Sequence, residues 1–550
     1  MFASIRSGSS PASRPALFRC RNLALAALVL TGSTGFAPSH AQVPALPPGA
    51  PAGTLPSLGD GTELTTAAER RIGDRIAASI YRDPDLVDDP ILSDYIDGIW
   101  QSLRAAARAR GELNAELDER FAWEVFLIRD RSVNAFALPG GYFGVHLGLI
   151  GTVSSADELA AVLAHEMSHV TQRHISRLMT QQSRQAPWMI AAMILGVIAA
   201  GKNANVGNAA MVGGQALAMQ SQLNFSRDME READRVGFSV MQGAGYDSRG
   251  VATMFEKLQQ ASRLNDSGGF PYLRSHPLTT ERIAEAQSRM QLSGHEPASV
   301  GGPASGVAHS PMLHAMMSAR ARVLAAPGVD GLRPMVVEGE RRAAAPPPLA
   351  GPPSTGNLRD AGALYGGAFA AAQLRDFAAA RKLLAQLKPR AAGNALTASA
   401  VNLLSIDIDL LAGEVPASAA TFDMTSASLR AEVLTGSRAL LAARRAPEVS
   451  SRLQTWVAMH PKDATAWQLL ATAWGNQGQN VRAIRADAES RAAQLDYGAA
   501  VDRLKAAQAM IRSNPASADY VESSIIDTRT RQMESLVKEQ ALQDKIDRKL

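Results

Sequence analysis

The strongest constraint on this chain is one short stretch, Asp157 to His174, which reads DELAAVLAHEMSHVTQRH. Leu159, Val162 and Leu163 recur at helical spacing, and His165, Glu166 and His169 fall within the same period. Residues four apart share a helical face, so both imidazoles can reach one ion, while Glu166 stands about 100° round the helix, beside that ion. The bland alternative, two surface histidines next to a solvated Glu, would need all three to fall by accident within an apolar helix. Zinc is the expected ion, because it takes neutral imidazole and carboxylate ligands, and three protein ligands leave a fourth position open for water. In such a site Glu166 is the general base, taking a proton from the water that attacks a peptide carbonyl and returning it to the leaving amine.

A third ligand must come from elsewhere. The segment Asn224 to Phe238, NFSRDMEREADRVGF, is a second helical stretch, dense in charge. Glu230 and Asp234 stand four apart on one face, so one carboxylate can bind the ion while the other hydrogen-bonds the far nitrogen of a ligating histidine. Glu232 points elsewhere. A solvated Glu/Arg face explains the same spacing, and spacing does not choose between the two. His174 follows His169 by five residues, which turns it off the ligand face toward a structural or surface role. His276 precedes Pro277 at a loop-to-helix junction, where it can cap or pack.

Around these motifs the chain reads as mainly α. Helical spacing covers Ile72, Ile76 and Ile80, then Ile91, Tyr95, Ile99 and Leu103, with a break from Asp83 to Pro90. Trp123 to Ile128 and Tyr142 to Val145, the latter after Pro139-Gly140-Gly141, suggest a small antiparallel sheet. Asn134 to Val145 is expected to supply an edge strand beside the ion. Its unpaired backbone groups would bind an extended substrate through Asn134, Ala135 and Phe136; an ordinary hairpin is the alternative. Pro187 to Ala200, PWMIAAMILGVIAA, opens an apolar insertion running to Met219 that is too short for one confident span. It fits a lid or partner-facing hairpin, with contact to a membrane surface open, or a buried core helix. Beyond Leu358 the chain is Ala-rich and helical. Asp376-Phe377-Ala378-Ala379-Ala380 has a counterpart in Asp496-Tyr497-Gly498-Ala499-Ala500, as in tetratricopeptide helix pairs, though an undifferentiated bundle would share that composition.

HExxH followed by ExxAD resembles the gluzincin-type envelope metallopeptidases that include HtpX, the CAAX-processing proteases and, nearest in layout, the BepA (YfgC) group with C-terminal tetratricopeptide repeats. Asn134-Ala135 before Pro139-Gly140-Gly141, Ala244-Gly245-Tyr246-Asp247, and Ser275-His276-Pro277 with Arg282-Ile283 agree with that pattern. The likeness covers roughly Glu63 to Gln291; beyond it only helical repeat character matches. It implies a zincin-type domain with one Zn2+ held by His165, His169 and Glu230, Glu166 and Asp234 as the catalytic pair, and Asp234 placed behind a ligand. It also implies a loop that carries His276 over the site, where it either fills the open metal position or assists the transition state. The biology implied is quality control of outer-membrane proteins, with the repeat domain docked on their assembly machinery. Alternatives are an assembly factor or chaperone with latent proteolysis, and a zinc hydrolase of non-peptide substrates, which the extended-binding segment disfavours.

The N-terminus reads as a secretory signal, with arginines, an apolar core from Leu23 to Leu30, and small residues Ser39 and Ala41 before Gln42. Cleavage is expected after Ala41, leaving a periplasmic protein; an uncleaved anchor is the alternative. The formal charge of +4 comes from Arg6, Arg14, Arg19 and Arg21, since no acid precedes Ala41 and the other 52 basic residues match the 52 acids. With no basic stripe interleaved with aromatics, nucleic acid is not an expected partner. The only cysteine, Cys20, lies before the apolar core. The expected organisation is a signal at 1–41, a flexible leader at 42–62, a metallopeptidase domain at 63–298, a linker with a short helix and a Pro-rich stretch at 299–358, and a helical repeat domain at 359–550.

Overall fold

Thr65 and Asp89 each precede a run with apolar residues every third or fourth position, and each caps the helix that follows. In the computed structural model, which describes residues 64–182, 226–264, 270–292, 310–326, 328–344, 355–513 and 519–547, Thr65 starts α1 (Thr66–Ile80) and Asp89 starts α2 (Pro90–Ala109). Asp89 Oδ1 accepts from Leu92 N at 2.9 Å, with Pro90 at the first helical position. The expected stripe of Ile91, Tyr95, Ile99 and Leu103 is buried in the main core. The signal at 1–41, the leader at 42–62 and the insertion at 187–219 lie outside the described residues.

Helix α3 (Ala115–Arg120) leads into β1 (Glu124–Ile128), β2 (Ala135–Leu138) and β3 (Tyr142–His146). The sheet is mixed, which corrects the antiparallel expectation. Its order is β1-β3-β2, with β2 antiparallel to β3 (Ala135 opposite Val145) and β1 parallel to it (Glu124 opposite Tyr142). The tight turn at Gly140-Gly141 joins antiparallel neighbours only; because β2 lies at the edge, β3 returns in the direction of β1 and takes the centre. Both glycines have positive φ, 73° and 80°, and a Cβ on Gly141 would come within 2.8 Å of Phe121 Cβ. All five residues of β3 are buried.

Helices α4 (Leu147–Thr152), α5 (Ala156–Thr171), α6 (His174–Gln182), α7 (Arg227–Gly243), α8 (Arg249–Leu264), α9 (Tyr272–Ser275) and α10 (Thr280–Leu292) follow. Of the 16 residues of α5, only Asp157 and Ala161 escape burial. Neighbours α2, α7, α8 and β2 pack around α5, so the motif helix is a central core helix and not a surface one. Ser155 caps it, accepting from Glu158 N at 3.2 Å.

The stretch expected as a linker holds α11 (Pro311–Ala325) and α12 (Gly328–Ala343). α11 is no spacer: Met316, Met317 and Arg320 are buried, and it packs on α2, on α4 and on α13 (Thr355–Gln373). His314 on α11 holds the Tyr95 hydroxyl at 2.6 Å and the Val153 carbonyl at 3.1 Å through its two ring nitrogens.

From α13 the chain continues as α14 (Phe377–Ala391), α15 (Ala395–Ala412), α16 (Arg430–Ala442), α17 (Ala446–Met459), α18 (Ala464–Gly475), α19 (Asn480–Ala493), α20 (Tyr497–Ser513) and α21 (Tyr520–Asp547), each packed on the next. One turn recurs: Arg375, Arg444, Gly478 and Leu495 have φ of 65°, 59°, 74° and 60°. The next residue's N–H in each case bonds a carbonyl five residues back, at 2.8–3.0 Å. Asp376 and Asp496 also cap the following helix, which explains their similar surroundings in the sequence. This helical region returns to α2 at α16, where Arg430 pairs with Asp88 at 2.8 Å and Ala431 N donates to Asp94 at 2.7 Å.

Candidate metal centre

The centre lies where α5, α7 and α9 meet. Gly237 on α7 makes the approach possible: a Cβ there would sit 3.0 Å from the His165 backbone N. His165 and His169, one turn apart on α5, aim Nε2 atoms at each other 3.0 Å apart. Glu230, in the first turn of α7, lies 3.5 Å from each of those nitrogens. His276, just past α9, places Nδ1 3.3 Å from His165 Nε2 and 3.0 Å from Glu230 Oε1. One ligand atom from each of the four falls within 4.8 Å of the others, and all four residues are buried.

This donor set fits one zinc ion. Two imidazole nitrogens pointing lone pairs at one spot, with a carboxylate between them, suit a borderline-soft divalent cation. Among the described residues Glu230 Oε2 is buried without a hydrogen bond; Arg282 Nη1 stands 2.8 Å away, outside hydrogen-bonding direction. Both carboxylate oxygens of Glu166 are likewise buried without a well-formed hydrogen bond among the described residues, with His276 Nε2 3.4 Å from Oε1. Burial pushes the Glu166 carboxyl above its ordinary range, against the pull of His276 and His165. For Glu230 burial acts the same way, but His276 and His165 outweigh it and hold the carboxylate ionised.

Each ligand histidine is held from behind, and differently. His165 Nδ1 lies 3.0 Å from Asp234 Oδ1, as expected for a carboxylate one turn after Glu230. Asp234 is gripped in turn by Arg282, Nε to Oδ2 at 2.6 Å and Nη2 to Oδ1 at 2.8 Å, a two-point clamp the sequence did not disclose. Burial favours a neutral Asp234, yet the Arg282 bonds keep it below the usual carboxylate range. Behind His169 stands His174, Nδ1 to Nδ1 at 2.9 Å, with Glu232 Oε2 3.0 Å from His174 Nε2. The expectation that His174 turns away assumed one continuous helix. Helix α5 ends at Thr171, and Arg173 at φ 55° folds the chain so that His174, fully buried, comes back against His169.

Of the segment expected to bind substrate, Ala135 and Phe136 lie in edge strand β2, which packs against α5, and Asn134 immediately precedes it. Ala135 is buried and paired with Val145, Phe136 lies across Gly144, and the Asn134 carbonyl accepts from His146 N at 3.0 Å. Asn134 Oδ1 is buried with no hydrogen-bond partner among the described residues.

Residues 102–290 match the model of Peptidase family M48. The chain is similar to the beta-barrel assembly-enhancing protease of Yersinia pestis, 28% identical over 467 residues that make up 83% of this chain and 88% of that one. It is 33% identical over 240 residues to the beta-barrel assembly-enhancing protease of Escherichia coli, covering 43% of this chain and 47%, about half, of that relative's length. To the mitochondrial metalloendopeptidase OMA1 of Arabidopsis thaliana it is 33% identical over 164 residues, covering 30% of this chain and 31% of that one. The matched region is thus similar to peptidases and metalloendopeptidases, and its cluster of His165, His169, Glu230 and His276 suits a single metal ion.

Proposed function

We propose that the chain is a periplasmic zinc endopeptidase that cleaves misfolded or stalled outer-membrane proteins, exported by a signal removed after Ala41. The observation that carries this reading is the convergence of His165, His169 and Glu230 on one point, with the carboxylate of Glu166 buried beside it. A bound zinc ion would supply Lewis acidity, polarising a peptide carbonyl and acidifying water. His165, His169 and Glu230 hold that ion, and Asp234 fixes the tautomer of His165. Glu166 accepts the proton of the attacking water and delivers it to the departing amine nitrogen, a task suited to a carboxyl whose proton affinity burial has raised. Substrate lies extended along Asn134, Ala135 and Phe136, its backbone continuing the sheet at the β2 edge.

The names of the Yersinia and Escherichia relatives support β-barrel assembly as the setting; in this reading the helical region is a tetratricopeptide-like docking domain for the assembly machinery. The segment 187–219 is the part suited to a membrane surface or a membrane-protein substrate, and nucleic acid has no place in this reading.

A second reading, an assembly factor or chaperone with latent proteolysis, is favoured by the position of His276. Its Nδ1 stands among the three ligand atoms, so it would fill the position water needs. The test is zinc content and casein cleavage by the mature chain. Wild type is expected to hold about one zinc and to cleave, and Glu166→Gln to hold zinc but lose about 10²- to 10⁴-fold in rate. A rise in cleavage in His276→Ala would favour latency, and a fall would make His276 an aid to the transition state. Absence of zinc from the wild-type protein would sink the proposal.

A further inference from the structure

Within the zinc-site reading, on which this inference rests, the two ligand histidines are backed by different chemistry. His165 has a carboxylate behind it; His169 has a second imidazole. We infer that His174 is a positioning residue for zinc, setting the tautomer and ring orientation of His169 through a hydrogen-bond chain that ends on Glu232.

The direction of that chain follows from the donor inventory. If His169 offers the Nε2 lone pair to the ion, its one proton sits on Nδ1, which faces His174 Nδ1 at 2.9 Å. His174 Nδ1 must then accept, so the His174 proton sits on Nε2 and is donated to Glu232 Oε2 at 3.0 Å. Arg177 Nη2 donates to the same oxygen at 2.7 Å, which keeps Glu232 an acceptor. All links point outward from the ion and each nitrogen has one role, so reversing any of them leaves two donors or two acceptors face to face. Both imidazoles are fully buried, leaving no room for water to substitute for a lost partner. Three local devices build this chain: the end of α5 at Thr171, the positive φ of Arg173, and the placement of Glu232 two residues after Glu230 on α7, on another face of that helix.

The experiment measures zinc affinity of the full mature chain by competition with a chelating indicator, alongside the thermal midpoint of the zinc-free protein. His174→Leu removes the acceptor and is expected to weaken zinc binding about 10- to 100-fold. His174→Asn places an amide oxygen near the position of Nδ1 and is expected to restore most of that loss. Glu232→Ala, at the half-exposed end where folding is least at risk, is expected to give an intermediate loss, because His174 is then free to take either tautomer. Zinc-free midpoints should stay close to wild type. The inference is overturned if His174→Leu and Glu232→Ala bind zinc as wild type does, or if His174→Asn loses as much as His174→Leu. Failure of the wild-type chain itself to take up zinc overturns the underlying reading and this one with it, and so differs from failure in the variants alone.

Discussion

Charge is buried in two regions of this molecule and is balanced differently in each. At the junction of α11 with α2, α13 and α15, the single guanidinium of Arg320 meets Asp89 at 2.8 and 2.7 Å and Asp407 at 2.7 Å. The Tyr365 hydroxyl lies 3.1 Å away and the Phe369 ring 4.4 Å below. Burial raises the Asp407 proton affinity, so any surplus charge there can be relieved by a proton. At the metal centre Glu166, Glu230 and the largely buried Asp234 stand with one guanidinium, Arg282, which reaches Glu230 and Asp234; with the carboxylates ionised and the histidines neutral, as metal ligands must be, three negative charges less one positive leave a surplus of two. That surplus equals the charge of a zinc ion. A buried cluster satisfied by its own chain is a joint, and one whose deficit is a divalent cation is a binding site.

The contrast is open to direct attack. The largest effect is expected at the joint: Arg320→Met leaves buried Asp89 and partly buried Asp407 without their guanidinium partner and should cost about 3–5 kcal/mol of stability, read as a lowered thermal midpoint whether or not zinc is present. A midpoint near wild type would mean that α11 does not depend on its charges. Next comes metal removal. Stripping zinc with a chelator should lower the midpoint by the equivalent of about 3 kcal/mol where the ion had been held at ~100 times its Kd, and added zinc should restore it. If chelation leaves the midpoint where it was, the charge surplus at the centre is not what an ion relieves.

A third contact, where α16 meets α2, sharpens the comparison. Asp94 accepts from Ala431 N, and burial pushes its carboxyl up to about 7, against Arg430 and with the help of Asp97 and Glu432. An acid whose folded pKa exceeds its unfolded value of about 3.9 destabilises the fold once it must ionise, so the penalty grows from about pH 4 to 7 and is full above that. Asp94→Asn keeps an acceptor for Ala431 N and removes the charge. It should therefore melt higher than wild type at pH 8, with the gap closing as the pH falls toward 5. A gap that is independent of pH would place the effect elsewhere.

Much of the centre was legible because its chemistry is local. His165, Glu166 and His169 lie within one helical turn, and Glu230 and Asp234 within another, so spacing alone put each pair on a shared face. Glu232 could be read as leaving that face, but not as reaching His174. Arg282 sits in a separate helix, and no periodicity ties it to Asp234. The parallel pairing of β1 with β3 was missed for a related reason: turn chemistry specifies the β2–β3 hairpin, whereas the neighbour of β1 is fixed by where the third strand finds a buried place. The helix at 311–325 looked like a spacer because its charged residue, Arg320, gives no sign in the sequence of two acids 231 and 87 residues away.

By itself, then, the sequence determined the helix that carries His165, Glu166 and His169, the helix that carries Glu230 and Asp234, and the helical character of the C-terminal half. These follow from dihedral preferences and from side-chain periods of 3.6 and 2, which act over a few residues. Only the tertiary structure decided which partner stands behind His165 and His169, that His174 folds back, that β3 is central, and that α11 packs the helical region against α2 and α4. Those outcomes depend on burying charge and hydrogen-bonding groups against residues far away in the chain, and such a group reveals its partner only once the fold has brought the two together.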